Sequence, residues 1–276
     1  EVAKDDTVSV SLRANFNNVT NESQTHASYT MSLYSVSANS VGGADLTTVT
    51  TPGSGDVGVD GNGGVATGLV GNNIVVYKTV PTLASVALES TTLVNATMEV
   101  YKFSVSADQN GAVSWGSITL DVSGQRGSSA VANLSNPLNG FNYTTMALYD
   151  SAGEAVAATF TTSSVSNNYL IISLTNVETV GAGASETYKV EASLTGFEGG
   201  NSFAIRVRDY TTAHQNPQTL ANAKADANGD ASEGSFVWSD NSGATESTAA
   251  SHWFVGRDIP GLDTSIVTVT KPAGSN

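Results

Sequence analysis

Side chains alternate with a period of two from one end of this chain to the other, which commits most of the sequence to two-faced β-strands. In TVSVSLRANF the apolar set Val8, Val10, Leu12, Ala14 and Phe16 faces one way, and Ser9, Ser11, Arg13 and Asn15 face the other. Tyr101, Phe103 and Val105 repeat the pattern. Asn110-Gly111 follows, a pair whose tolerance of positive φ predicts a tight hairpin with Ile118, Leu120 and Val122 on the return strand. Further strands are read at Leu170, Ile172 and Leu174, at Tyr188, Val190, Ala192 and Leu194, and at Phe203, Ile205 and Val207, where Arg206 and Arg208 are expected to point outward. SFVWS and SIVTVT complete the set. Helical spacing is confined to PQTLANAKA, residues 217–225, where Pro opens one or two turns of small helix formers. Short strands separated by Gly, Asn and Ser predict an all-β fold, an antiparallel sandwich of Greek-key or jelly-roll type with two β regions. The boundary is placed near Pro81. Residues 1–80 form an N-terminal β region with a candidate donated strand (7–16) and a Gly-rich loop (51–68), and residues 81–276 form a sandwich module.

Composition narrows the function classes. Of 276 residues, 39% are hydrophobic, enough for a sizeable core, while only 13% are charged, about half the usual share. The surface is therefore covered by Ser, Thr, Asn and Gly, as in secreted β-proteins. Eleven Lys and Arg stand against 25 Asp and Glu, a net charge of −14 that repels phosphate backbones and anionic membrane surfaces and attracts divalent cations. No cysteine is present, which excludes disulfides and thiolate metal sites. No apolar run approaches the roughly 18–20 residues of a membrane span.

Residues 83–122, which include STTLVNATMEVYKFSVSADQNGAVSW, and residues 233–265, with FVWSD, a following Trp and GLDTS, resemble a module of large, largely uncharacterised secreted surface proteins of small-genome candidate-phylum bacteria. The resemblance covers about the last two-thirds of the chain. It implies an extracellular role, at the cell surface or in a filament, and carries no catalytic motif.

Candidate chemistry is sparse. In DANGDASE, Asp226, Asn228, Asp230 and Ser232 occupy positions one, three, five and seven of a calcium-loop pattern, with Glu233 next. Ala231 and Val237 stand where an EF-hand needs Gly and Glu, so the candidate is a different loop, completed by Glu233 or Asp240 and holding a structural Ca2+. Asp56, Asp60 and Asn62 form a second oxygen cluster, read as part of a Gly-rich surface loop or subunit contact. His26, His214 and His252 have no metal-ligand spacing, and His252 is read as a polar residue beside a packed Trp253. Trp115, Trp238 and Trp253, with nine tyrosines, could form a sugar-stacking platform, but Trp115 and Trp238 lie within alternating strands and read as core. No nucleophile elbow, phosphate loop or dinucleotide fingerprint is present, and the expectation is a non-enzyme. The function expected is a structural subunit of an extracellular filament or surface layer. Its partners are copies of itself, joined by strand addition through Val8, Val10, Leu12 and Phe16 and by edge contacts. The alternative is an adhesin or carbohydrate-binding module facing a glycan or cell surface.

Overall fold

Strand β5 (Val113–Arg126) is the spine of the structure. The computed structural model describes residues 13, 15, 19, 25, 27–33, 69–126, 129–130, 141–162, 169–208, 217–226, 235–243, 252–256, 259–260, 267–270 and 272. One margin of β5 pairs antiparallel with β10 (Tyr169–Val180) and then with the short β6 (Ser129–Ala130). The other margin is divided between β13 (Phe236–Ser239) and β12 (Ser202–Val207). Thr119 sits where those two part. Its N–H donates to the Ser235 carbonyl at 2.7 Å and its own carbonyl accepts the Arg208 N–H at 3.0 Å, so the fork leaves this residue's backbone paired. Outward of these lie β9 (Ala158–Thr162), β14 (Phe254–Val255) and β15 (Val267–Thr270), eight strands in all.

The second sheet has the order β3 (Thr82–Ser85), β4 (Thr97–Ser106), β11 (Ser185–Leu194), β7 (Phe141–Tyr149), β8 (Ala155–Val156). The two antiparallel sheets pack together over one apolar cluster, the predicted sandwich. Trp115 lies at its centre, 4.9 Å from the Tyr188 ring and 5.8 Å from those of Phe103 and Phe236. The residues expected inside on β4, β5, β10, β11 and β12 are all buried. On β4, Val190 pairs with Tyr101 and Glu191 with Glu99, which leaves Val100 as an extra residue. This bulge turns both Val100 and Tyr101 inward.

Two expectations are corrected. Strands β4 and β5 do not form a hairpin, because they belong to different sheets. The turn between them is initiated by Asp108, whose carboxylate accepts the Asn110 N–H at 2.8 Å, and neither Asn110 nor Gly111 has positive φ. Gly111 is instead under close approach: a Cβ there would meet the Lys78 and Thr79 side chains at 3.3 and 3.4 Å. Arg208 does not point into solvent. It is buried, with its guanidinium 4.2 Å from the centroid of the Tyr169 ring, whereas Arg206 does reach outward to Asp121 at 3.0 Å.

Helix α1 (Leu220–Asp226) covers the outer face of the larger sheet. Thr219 caps it, its hydroxyl accepting the Asn222 N–H at 3.3 Å. The helix lands at Gly116, a bulge residue skipped by β13, which pairs Trp238 with Trp115 and Val237 with Ser117. A Cβ there would lie 2.8 Å from Leu220 Cδ1. The β10 ladder also breaks opposite this point, and the Leu174 carbonyl accepts from Lys224 Nζ at 2.6 Å. Burial lowers the Lys224 pKa. Leu220, Ala223, Val237, Trp253 and Val255 form a second apolar cluster under the helix, and this is why β13 is buried on both faces. Among the described residues no helix is long and apolar enough to cross a membrane.

A separate two-stranded sheet is formed by β1 (Ala27–Leu33) and β2 (Leu69–Val76). It leads into the sandwich through Tyr77, which packs on Trp238 at 5.4 Å and on Phe254 at 5.1 Å.

Candidate functional site

The margins of the sandwich are largely closed by its own chain. The Leu83 N–H on β3 donates to the Pro260 carbonyl at 2.8 Å. On β15, Thr270 exchanges main-chain bonds with Thr91 and Leu93, both at 2.9 Å. Beside β14, Gln218 and Trp253 pair reciprocally at 2.8 and 2.9 Å. Such covering is how β-proteins suppress unwanted strand pairing. The remaining side is not covered in this way: one length of chain, interrupted at Ala157, serves first as β8 and then as β9, which joins the two sheets covalently, and among the described residues neither strand has a second partner.

The β1–β2 ribbon is different. Its ladder runs from Ala27↔Val76 to Leu33↔Leu69, and among the described residues neither strand pairs with a third. Tyr29 and Ile74 are direct cross-strand partners, 46% and 43% exposed, and are two of the three large apolar side chains that are exposed among the described residues. A lone ribbon of this kind is marginal in water. It therefore needs a fastening.

That fastening is Asp240, which is fully buried just after β13. Its Oδ2 accepts the Thr25 hydroxyl and, at 3.1 Å, the Lys78 N–H, while Oδ1 accepts the Ser242 N–H at 3.2 Å. The sequence Asp-Asn-Ser-Gly makes this local geometry: the Oδ1 bond two residues on is an Asx turn, and Asn241 takes the left-handed φ of 49° that Asn tolerates. Asn241 Nδ2 donates to Ser114 Oγ at 3.1 Å, and its carbonyl accepts Lys78 Nζ at 2.7 Å. One carboxylate thus gathers donors from just before β1, just after β2 and just after β13. Thr25 itself is buried, as is Val19 before it.

A third feature is a groove of about 360 Å³ on the outer face of the smaller sheet, lined by Glu99, Lys102, Asp150, Thr187, Lys189 and Glu191 among others. Lys189 Nζ lies 2.8 Å from Glu191 and 5.1 Å from the centroid of the Tyr149 ring, and Lys102 lies 4.0 Å from Glu99. Burial pushes the Glu99 carboxyl above the usual carboxylate range, while the hydrogen bond to Glu191 holds Lys189 above its ordinary value. Charges of both signs interleave, so the groove has no single pole.

Of the residues singled out in the sequence, Asp226 ends α1, and Asn228, Asp230, Ser232 and Glu233 lie outside the described residues, as do Val8, Val10, Leu12 and Phe16. Asp56, Asp60, Asn62, His26 and His214 lie there too. Asp240, a candidate cation ligand, is committed to three protein donors. Among the described residues no group of three or more His, Asp or Glu is arranged to hold a metal ion. His252 is buried beside Trp253, and all three tryptophans are interior, so none of the three is open to stack on a sugar. The ribbon pair Tyr29 and Ile74 was missed by the sequence reading, although Tyr29, Met31 and Leu33 alternate with Ser28, Thr30 and Ser32. A scan against protein families and a search of curated proteins both return no match for this chain.

Proposed function

We propose that this protein is a structural subunit that joins copies of itself into an extracellular filament or surface layer by β-strand addition. The observation that carries the reading is the contrast in strand margins among the described residues: most of those of the sandwich are covered by its own chain, while the β1–β2 ribbon pairs with no third strand and exposes Tyr29 beside Ile74. Main-chain hydrogen bonds at such a margin supply affinity, and alternate side chains supply register. A contact between unlike surfaces that does not close on itself generates an open polymer. The low share of charged residues, with Ser, Thr, Asn and Gly covering the surface, supports an extracellular setting.

Electron microscopy of the purified protein tests the reading, with ordered polymers at modest concentration expected. A stable monomer at every concentration would overturn it. Deleting residues 1–16 asks separately whether Val8, Val10, Leu12 and Phe16 contribute a donated strand; polymers with unchanged helical parameters would remove that segment from the interface. The calcium proposal for Asp226, Asn228, Asp230, Ser232 and Glu233 is checked by melting with and without a chelator, where a lowered midpoint is expected on chelation and an unchanged one removes the site.

A further inference from the structure

We infer that β1 is an exchangeable strand, able to pair with β2 of a second copy of this chain while Thr25 enters that copy's Asp240 socket. The inference rests on the assembly reading and names the element that would carry it. Four observations lead there. First, β2 is anchored, because it runs directly into Tyr77 and Lys78, which are held by Trp238, Phe254 and Asp240. Second, β1 pairs with β2 alone among the described residues. Third, the fastening of the arm that carries β1 is a hydrogen bond between residues 215 apart in sequence, Thr25 to Asp240, whose acceptor is indifferent to which chain supplies the hydroxyl. Fourth, β1 and β2 are joined by residues 34–68, a stretch with nine glycines.

The length of that stretch decides feasibility. Thirty-five residues reach about 115 Å when extended, more than twice the roughly 50 Å diameter expected of a compact chain of this size. A neighbouring copy is within reach. The contacts made are identical in the closed and exchanged forms, so concentration decides between them. Exchange in one direction leaves each copy giving one β1 and receiving another, and so propagates a chain of subunits.

The cysteine-free sequence makes a direct test available. Residues 29 and 74 are directly opposed, and an antiparallel pair has the Cα separation that a disulfide needs. The double variant Tyr29→Cys/Ile74→Cys is oxidised at polymer-forming concentration and run on a denaturing, non-reducing gel, with each single variant as the control for random collision. A ladder of covalent multimers, absent from the single variants, is the expected result. A single cross-linked band at monomer mass would overturn the inference. So would no cross-link at all, because both the closed and the exchanged forms place 29 opposite 74. Micrographs of the same samples separate the two levels: polymers with monomeric cross-links remove strand exchange and leave assembly standing, whereas the absence of polymers removes assembly itself.

Discussion

The sandwich and the ribbon are both antiparallel β-structure, yet they are held by different physics. Around Trp115 two sheets share one continuous apolar interior, with Phe103, Tyr188 and Phe236 packed ring against ring. The ribbon shows an exposed apolar pair instead and is tied down by a buried carboxylate that collects three donors. The difference teaches that strand pairing alone does not decide how firmly an element is held. What lies against the faces, and what closes the margins, decides it.

The comparison can be broken in several places, and the strongest test is Trp115→Ala. It opens a cavity at the centre of the sandwich and should lower unfolding stability by about 3–5 kcal/mol, measured by urea denaturation. A loss below about 1 kcal/mol would mean that the shared interior is not what holds the sheets. Next comes Asp240→Ala, which strands the Thr25 hydroxyl and the Lys78 and Ser242 amides, at roughly 2–3 kcal/mol. Its signature should be local: hydrogen exchange at β1 and β2 amides accelerates, while β5 amides keep their protection. Uniform acceleration would dissolve the distinction between the two regions.

Gly116→Ala probes the third layer. The new methyl group meets the ends of the Leu220 and Lys224 side chains at 2.8 and 3.2 Å, and since Leu220 is packed in the cluster under the helix and Lys224 is hydrogen-bonded to the Leu174 carbonyl the expected cost is about 1–2 kcal/mol, with lost protection in α1. The smallest effect is that of pH. Burial, reinforced by Asp150 and Glu186, raises the Glu178 carboxyl above its ordinary value of 4.5. The folded state therefore holds that proton more tightly than the unfolded state. This group's contribution to stability rises as pH falls through its folded pKa and levels off below 4.5. Glu178→Gln should flatten that rise in a series of melting curves between neutral pH and 4.5, and an unaltered slope would assign the rise to other carboxylates.

Alternation made the strands legible because burial on one face imposes it. β11 and β12 could be read residue by residue, and β4 from Tyr101 onward, since the bulge at Val100 breaks the alternation before it. Sheet membership was not legible, since Asn110-Gly111 suits a hairpin equally well when the next strand joins another layer, and only the packing of Gly111 on Lys78 shows the difference. Arg208 was misread because alternation gives the side a residue faces and says nothing of what covers that side, here the Tyr169 ring. The Asp240 socket was beyond local reading altogether: its donors stand at positions 25, 78 and 242, and an acid after a strand looks the same whether it meets solvent, a cation or three N–H and O–H groups.

The passage of one strand from the smaller sheet into the larger one has a mechanical consequence. Because Val156 is laddered to Leu148 while Ala158 to Thr162 are laddered to Leu174 and its neighbours, the layers cannot slide far past each other without peeling this strand from one of them. Tension applied to either layer is thereby shared with the other, and a subunit so stitched resists shear along the side that lacks a covering segment.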